Sequence, residues 1–146
     1  MPTQLKERIQ ADLADARRQR DKTRTVLLST LLSELHNREI ETRSALDDGA
    51  AVQVVTRAIK QRREAARQMR EGGREELAER EEREAELLTP YLPEPMGEDE
   101  VRALVREAIA DGVHEMGPLM GRVMPKIRGR FDGKEANRIV REELGG

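Results

Sequence analysis

Cysteine is absent from this 146-residue chain. That excludes disulfides, thiol nucleophiles and cysteine-ligated metals, and it suits a reducing compartment. Tryptophan is absent as well, and Tyr91 and Phe131 are the only aromatic residues. Any core must be built from Leu, Ile, Val, Ala and Met. The stacking platforms that readers of single-stranded RNA rely on are missing. No apolar run approaches the roughly 20 residues that span a bilayer. The opening stretch, Met1 to Arg8, has no apolar signal core. The expectation is a soluble, cytoplasmic protein with no membrane partner.

What the chain does have is charge and periodicity. Charged residues make up 38% and hydrophobic ones 36%, and the apolar positions recur at helical spacing. The composition fits helices with long solvated faces better than disorder. Thr3 is placed to cap a first helix to about Asp21. A second, from near Thr23, carries Leu28, Leu31, Leu32 and Leu35 and is expected to end near Asp47-Asp48-Gly49. A third has Val52, Val55, Ile59, Ala66 and Met69 in steps of three and four, with Arg62 interrupting the seam and Gly72-Gly73 stopping it. The fourth, about Arg74 to Leu88, is almost wholly charged, with Glu76–Arg80 and Glu79–Arg83 at ion-pair spacing.

Pro90, Pro93 and Pro95 then end the helical run, because proline lacks a backbone donor and restricts the residue before it. The expected organisation is all-α: an N-terminal domain of long antiparallel helices over residues 1–93 and a small C-terminal three-helix domain over 94–146. In the second domain Val101, Leu104, Val105 and Ala108 share a face. No strand is expected.

The segment from Met116 to Lys134 differs from the rest. Glycines stand at 117, 121, 129 and 133 and prolines at 118 and 125. Pro118 suits a first helical turn, and Gly129 suits a left-handed stop. Asp132 reads as the N-cap of a last helix, with Glu135 completing a capping-box pattern. At 100° per residue, Lys134, Arg138 and Arg141 cluster opposite Ala136, Ile139, Val140 and Leu144. Arg122, Lys126, Arg128 and Arg130 precede them. This basic run follows the acidic stretch 94–116, an asymmetry that bears on partners. Arg122, Lys126, Arg128, Arg130, Lys134, Arg138 and Arg141 are the candidate RNA-binding residues, as a seat for a phosphate backbone. Met116, Met120 and Met124 read as core, and Phe131 as a plug for it.

Catalytic constellations are not apparent. His36 with Glu39 has helical spacing but no third ligand, and His114 beside Glu115 signals nothing stronger. Gly129 to Lys134 lacks the spacing and the hydroxyl of a phosphate loop. No catalytic residue, metal site or cofactor is expected, and the chain reads as a binding module. A protein-docking reading of the third helix, around Lys60, Arg63 and Arg67, is the alternative.

The run Met116-Gly-Pro-Leu-Met-Gly-Arg-Val-Met-Pro-Lys-Ile-Arg-Gly-Arg-Phe-Asp-Gly-Lys134, followed by Asn137, Val140 and Leu144, resembles the C-terminal region of the GatB/YqeY family. Ile59-Lys-Gln-Arg-Arg63, Gly73-Arg-Glu-Glu-Leu77 and Glu86-Leu-Leu-Thr-Pro-Tyr-Leu-Pro93 resemble its other landmarks, in order, over nearly the whole chain. Pro118 stands where lysine is more usual, Phe131 where a small residue is common, and Gly97 where a serine-type cap is common. The resemblance implies two helical domains. It also implies kinship with the tail of the GatB subunit of glutamine-dependent tRNA amidotransferase, which engages tRNA. The family label, carbon–nitrogen ligase activity with glutamine as amido-N donor, comes with it. The implied partners are tRNA and amidotransferase subunits.

Overall fold

A computed structural model describes residues 4–145, so the cap expected of Thr3 lies outside the described residues. Seven α-helices and one 3-10 turn account for the regular structure, and no strand occurs among the described residues. Contacts divide the chain into two compact units, Met1–Leu92 and Pro93–Gly146.

In the first unit, α1 spans Gln4–Arg18 and α2 spans Lys22–Thr42. The turn between them comes earlier than the apolar pattern suggests. Arg20 takes a left-handed conformation, and Asp21 caps α2 by accepting the Arg24 backbone N–H at 3.1 Å. Lys6 near the start of α1 meets Glu39 near the end of α2 at 2.5 Å, and Arg24 reaches Asp15 at 3.8 Å. The two helices therefore run antiparallel. The second helix ends at Thr42, with Arg43 left-handed behind it, and not near Gly49 as expected. Asp47 instead opens the next helix, α3 (Asp48–Glu71), accepting the Ala50 N–H at 2.7 Å. An aspartate at that position satisfies an orphan donor and complements the helix dipole, so Gly49 is carried inside the first turn.

Helix α4 (Glu75–Leu88) returns along α3 after a turn at Gly72 and Gly73, the latter at φ +75. Arg70 holds Glu75 at 2.9 Å and Glu82 at 2.5 Å, and Arg62 faces Glu84 at 3.7 Å. The expected pairs within α4 give way to these: Glu76, Arg80, Glu79 and Arg83 are all exposed. Arg62 folds back to donate to the Ala58 carbonyl at 3.0 Å, and its buried Nε has no hydrogen-bond partner. Val55, Ile59 and Ala66 of the α3 seam are buried, with Val52 and Met69 half-buried.

The core of this unit gathers Ile9, Leu13, Leu28, Leu31, Leu35, Val55, Ile59 and Leu88. Tyr91, in the 3-10 turn Thr89–Tyr91, closes it. Its ring is buried, its hydroxyl donates to Asp12 Oδ2 at 2.5 Å, and the Arg8 guanidinium lies 4.9 Å over the ring centroid. The end of this unit and its first helix are thus tied together by the chain's single tyrosine.

The second unit packs α5 (Glu98–Ala110), α6 (Met116–Ile127) and α7 (Gly133–Glu143) around Val101, Val105, Leu119, Val123, Ile127, Ile139 and Val140. Met116, Met120, Met124 and Phe131 are half-buried against this core, so the methionine stripe is packing. Pro118 occupies the first turn of α6. Pro125 is accommodated within the helix, which runs two residues further, to Ile127. Gly97 caps α5 without a side-chain hydrogen bond.

Tyr91→Phe keeps the buried ring and removes the donor to Asp12. The expected loss is about 1–2 kcal/mol of unfolding free energy, read by urea denaturation. Burial, and then the hydrogen bond to Asp12, push the Tyr91 phenol above its usual range. The folded phenol keeps its proton where the unfolded one has lost it, so this contribution is present below pH of about 10 and declines as pH rises beyond it. The phenylalanine variant should lack that alkaline decline.

Candidate nucleic-acid interface

The seven cations singled out in the sequence all lie in the second unit, on α6, on the turn behind it and on α7. The turn is set by hydrogen bonds to the end of α6. The Ile127 carbonyl accepts from the N–H groups of Arg130 at 2.9 Å and Phe131 at 3.0 Å, and Gly129 takes φ +71. That left-handed conformation favours a residue without a Cβ. Asp132 caps α7 by accepting the Lys134 N–H at 3.4 Å. The expected capping box is not completed, because Glu135 turns to Arg138 at 2.9–3.0 Å. A guanidinium offers that carboxylate charge-assisted bonds, stronger than a neutral backbone N–H can give.

The cations separate into two sets. Arg138 is held by Glu98, by Glu135 and by Glu142, the last at 2.6 Å. Arg102 joins the same network through Glu142 at 2.5 Å and Glu143 at 3.0 Å, and Arg106 adds Glu143 at 2.9 Å. This lattice ties α5 to α7. Arg122 pairs with Asp111. Arg130 serves the fold: its Nε donates to the Glu94 carbonyl at 2.8 Å, and its own carbonyl accepts the Met96 N–H at 2.8 Å.

Lys126, Arg128, Lys134 and Arg141 form the other set. All are exposed, and none pairs ionically with another described residue. Lys134 and Arg141, seven residues apart, share one side of α7. A Cβ added at Gly133 would stand 3.6 Å from Met124 Cε, so the first turn of α7 lies against the last turn of α6. Lys126 and Arg128 belong to that end of α6. The lattice carboxylates Glu98, Glu142 and Glu143 were not singled out from sequence. The signal present there was the i,i+4 spacing of Glu98 with Arg102 and of Arg138 with Glu142.

Elsewhere the structure offers little chemistry. Among the described residues no three His, Asp or Glu side chains converge as a metal site. His36 is exposed, while Glu39 accepts from Lys6 and from the Leu46 N–H at 3.3 Å. No helix among them is long and apolar enough to cross a membrane. On α3, Arg67 is held by Glu64 and by Glu71 at 2.8 Å, and Arg63 is exposed. A polar groove of about 380 Å³ between α2 and α3 is lined by Glu34, Arg38, Gln53 and Arg57 among others.

A family model described as Yqey-like protein matches residues 6–144. The chain is 29% identical over 144 residues to Altered inheritance of mitochondria protein 41, mitochondrial, from Pyrenophora tritici-repentis, covering 94% of this chain and 80% of that one. The protein of the same name from Eremothecium gossypii is 28% identical over 122 residues, covering 82% and 65%. A glutamyl-tRNA(Gln) amidotransferase subunit from Thermococcus sibiricus is 39% identical over 64 residues, which is 44% of this chain and 10% of that protein.

The ion-pair lattice makes the second unit acid-sensitive. Hydrogen bonds from Arg102, then Arg138, hold the Glu142 carboxyl below its usual range, and Arg106, then Arg102, do the same for Glu143. A depressed folded pKa gives stability that is present above the unfolded value near 4.5 and lost as pH falls through the folded one. Amide hydrogen exchange in α7 should therefore accelerate below that pH before exchange in α2 does. Glu143→Gln should accelerate it already at neutral pH.

Proposed function

The chain belongs to the Yqey-like family, and from that premise we propose that it is an accessory module that holds the phosphate backbone of a folded RNA, tRNA first among candidates. One observation carries this reading. In a unit whose arginines are otherwise taken up by carboxylates, Lys126, Arg128, Lys134 and Arg141 remain exposed and without an ionic partner among the described residues. A phosphate backbone supplies anions to such a surface and releases counterions on binding. Contacts of this kind position a polymer without reading its sequence. Arg122, Arg130 and Arg138 belong to the same surface as supports, fixing the helices that present the free cations.

The similarity to an amidotransferase component supports a place beside glutamine-dependent amide transfer on charged tRNA. In this proposal the chain contributes RNA binding and not the carbon–nitrogen ligase chemistry of the family label. Residues 1–93 and 94–146 act as separate domains in the cytoplasm, the second bearing the RNA seat.

Reversing Lys126, Arg128, Lys134 and Arg141 to Glu should weaken binding of bulk tRNA by well over tenfold at moderate salt. The slope of log affinity against log salt should fall by about 3, at roughly 0.7–0.9 per lost phosphate contact. Fluorescence anisotropy across a salt series reads both quantities. Equal binding by variant and wild type would refute the proposal.

A further inference from the structure

The densest run of positive charge lies outside the C-terminal unit. Residues 17–24 carry Arg17, Arg18, Arg20, Lys22 and Arg24 against Asp21 alone. They form the end of α1, the turn, and the start of α2. Asp15 accounts for part of this charge, lying 3.2 Å from Arg18 and 3.8 Å from Arg24. Asp21 is occupied as a cap. Arg17, Arg20 and Lys22 are exposed and form no ion pair with another described residue.

Local physics disfavours this arrangement. Arg20 sits at φ 56, a left-handed conformation that glycine or asparagine adopts at lower cost. Helix α2 has no acidic residue in its first turn. Lys22 and Arg24 stand there instead, at the end of the helix dipole that favours anions. Choices that each oppose local stability, gathered in one turn, mark a surface held for binding.

We propose that the α1–α2 turn is a second phosphate-backbone contact for the same folded RNA, an inference that rests on the reading of the C-terminal cations as an RNA seat. The chemistry favours a nucleic acid over a protein or a membrane. No residue from Arg17 to Arg24 is apolar. The run therefore lacks the buried anchors that dominate protein interfaces and the apolar face that settles a segment into lipid. A polyanion requires cations alone. Four of the five are arginines, whose planar forks match phosphate oxygens.

The test uses the full chain, bulk tRNA and vesicles of phosphatidylcholine and phosphatidylserine in equal parts. Arg17→Glu, Arg20→Glu and Lys22→Glu combined should weaken tRNA binding by about tenfold and lower the salt slope by about 2, with circular dichroism unchanged. Arg20→Gly guards against a folding artefact, since it relieves the left-handed arginine. It should raise Tm and still weaken tRNA binding, by a smaller factor. If the triple reversal binds tRNA like wild type while the C-terminal reversal does not, the turn makes no contact and the C-terminal seat stands alone. If only the turn variants lose tRNA, this contact stands and the C-terminal seat falls. Failure of wild type to bind tRNA at low salt overturns both. Loss of vesicle binding with tRNA binding intact overturns the inference in favour of lipid.

Discussion

Each helix of this chain offers one narrow apolar stripe, and the whole structure depends on how those stripes are shared out. With 38% of residues charged and Tyr91 and Phe131 as the only aromatics, no helix can bury more than one side. The stripes of α1 to α4 close on one another around Ile9, Leu31, Leu35, Val55 and Leu88, and those of α5 to α7 around Val105, Leu119, Ile127 and Ile139. Everything polar must then either find a partner across a helix seam or face solvent. Which choice a charge makes is the informative variable in this protein.

Pairing is concentrated where apolar contact runs out. Arg138 with its three carboxylates secures α7 to α5, and Arg70 secures α4 to α3. Exposed pairs of this type contribute little individually, but networks fix geometry. Their further effect is to remove charge from the field that an incoming ligand meets. The free cations stand out because their neighbours are neutralised, which a count of lysines and arginines along the chain does not reveal.

The local rules were legible in the sequence. Gly129 ends α6, Pro118 sits in its first turn, Asp132 caps α7, and Ile139 and Val140 face inward. Long-range competition was not. Glu135 satisfies the capping-box pattern, yet the Arg138 guanidinium one turn on makes the stronger bond. Arg138 looks free on a helical wheel, but Glu98, 40 residues earlier in the chain, reaches it. The acidic run at Asp47 reads equally as the end of one helix or the start of the next, and Arg20 gives no sign of a left-handed turn because arginine is not a residue that favours one. Family membership follows from the whole pattern. The partner does not, because phosphate-binding surfaces are defined by which charges stay unpaired in three dimensions.

The paired helices α3 and α4 carry a different consequence. Beyond Ile59 the hairpin buries only Ala66 and Ala78 before it rejoins the core at Ala85. Nothing large interdigitates along that stretch, and its seam is closed by Arg62, Arg70 and their carboxylates. A span built of small side chains and surface charge has no unique jigsaw to preserve. Its length can change by matched whole turns in both helices, with alanine and ion-pair spacing repeated, without disturbing a single large core residue. The hairpin is in that sense a boom of adjustable reach, free to vary among relatives while the core at its base stays the same.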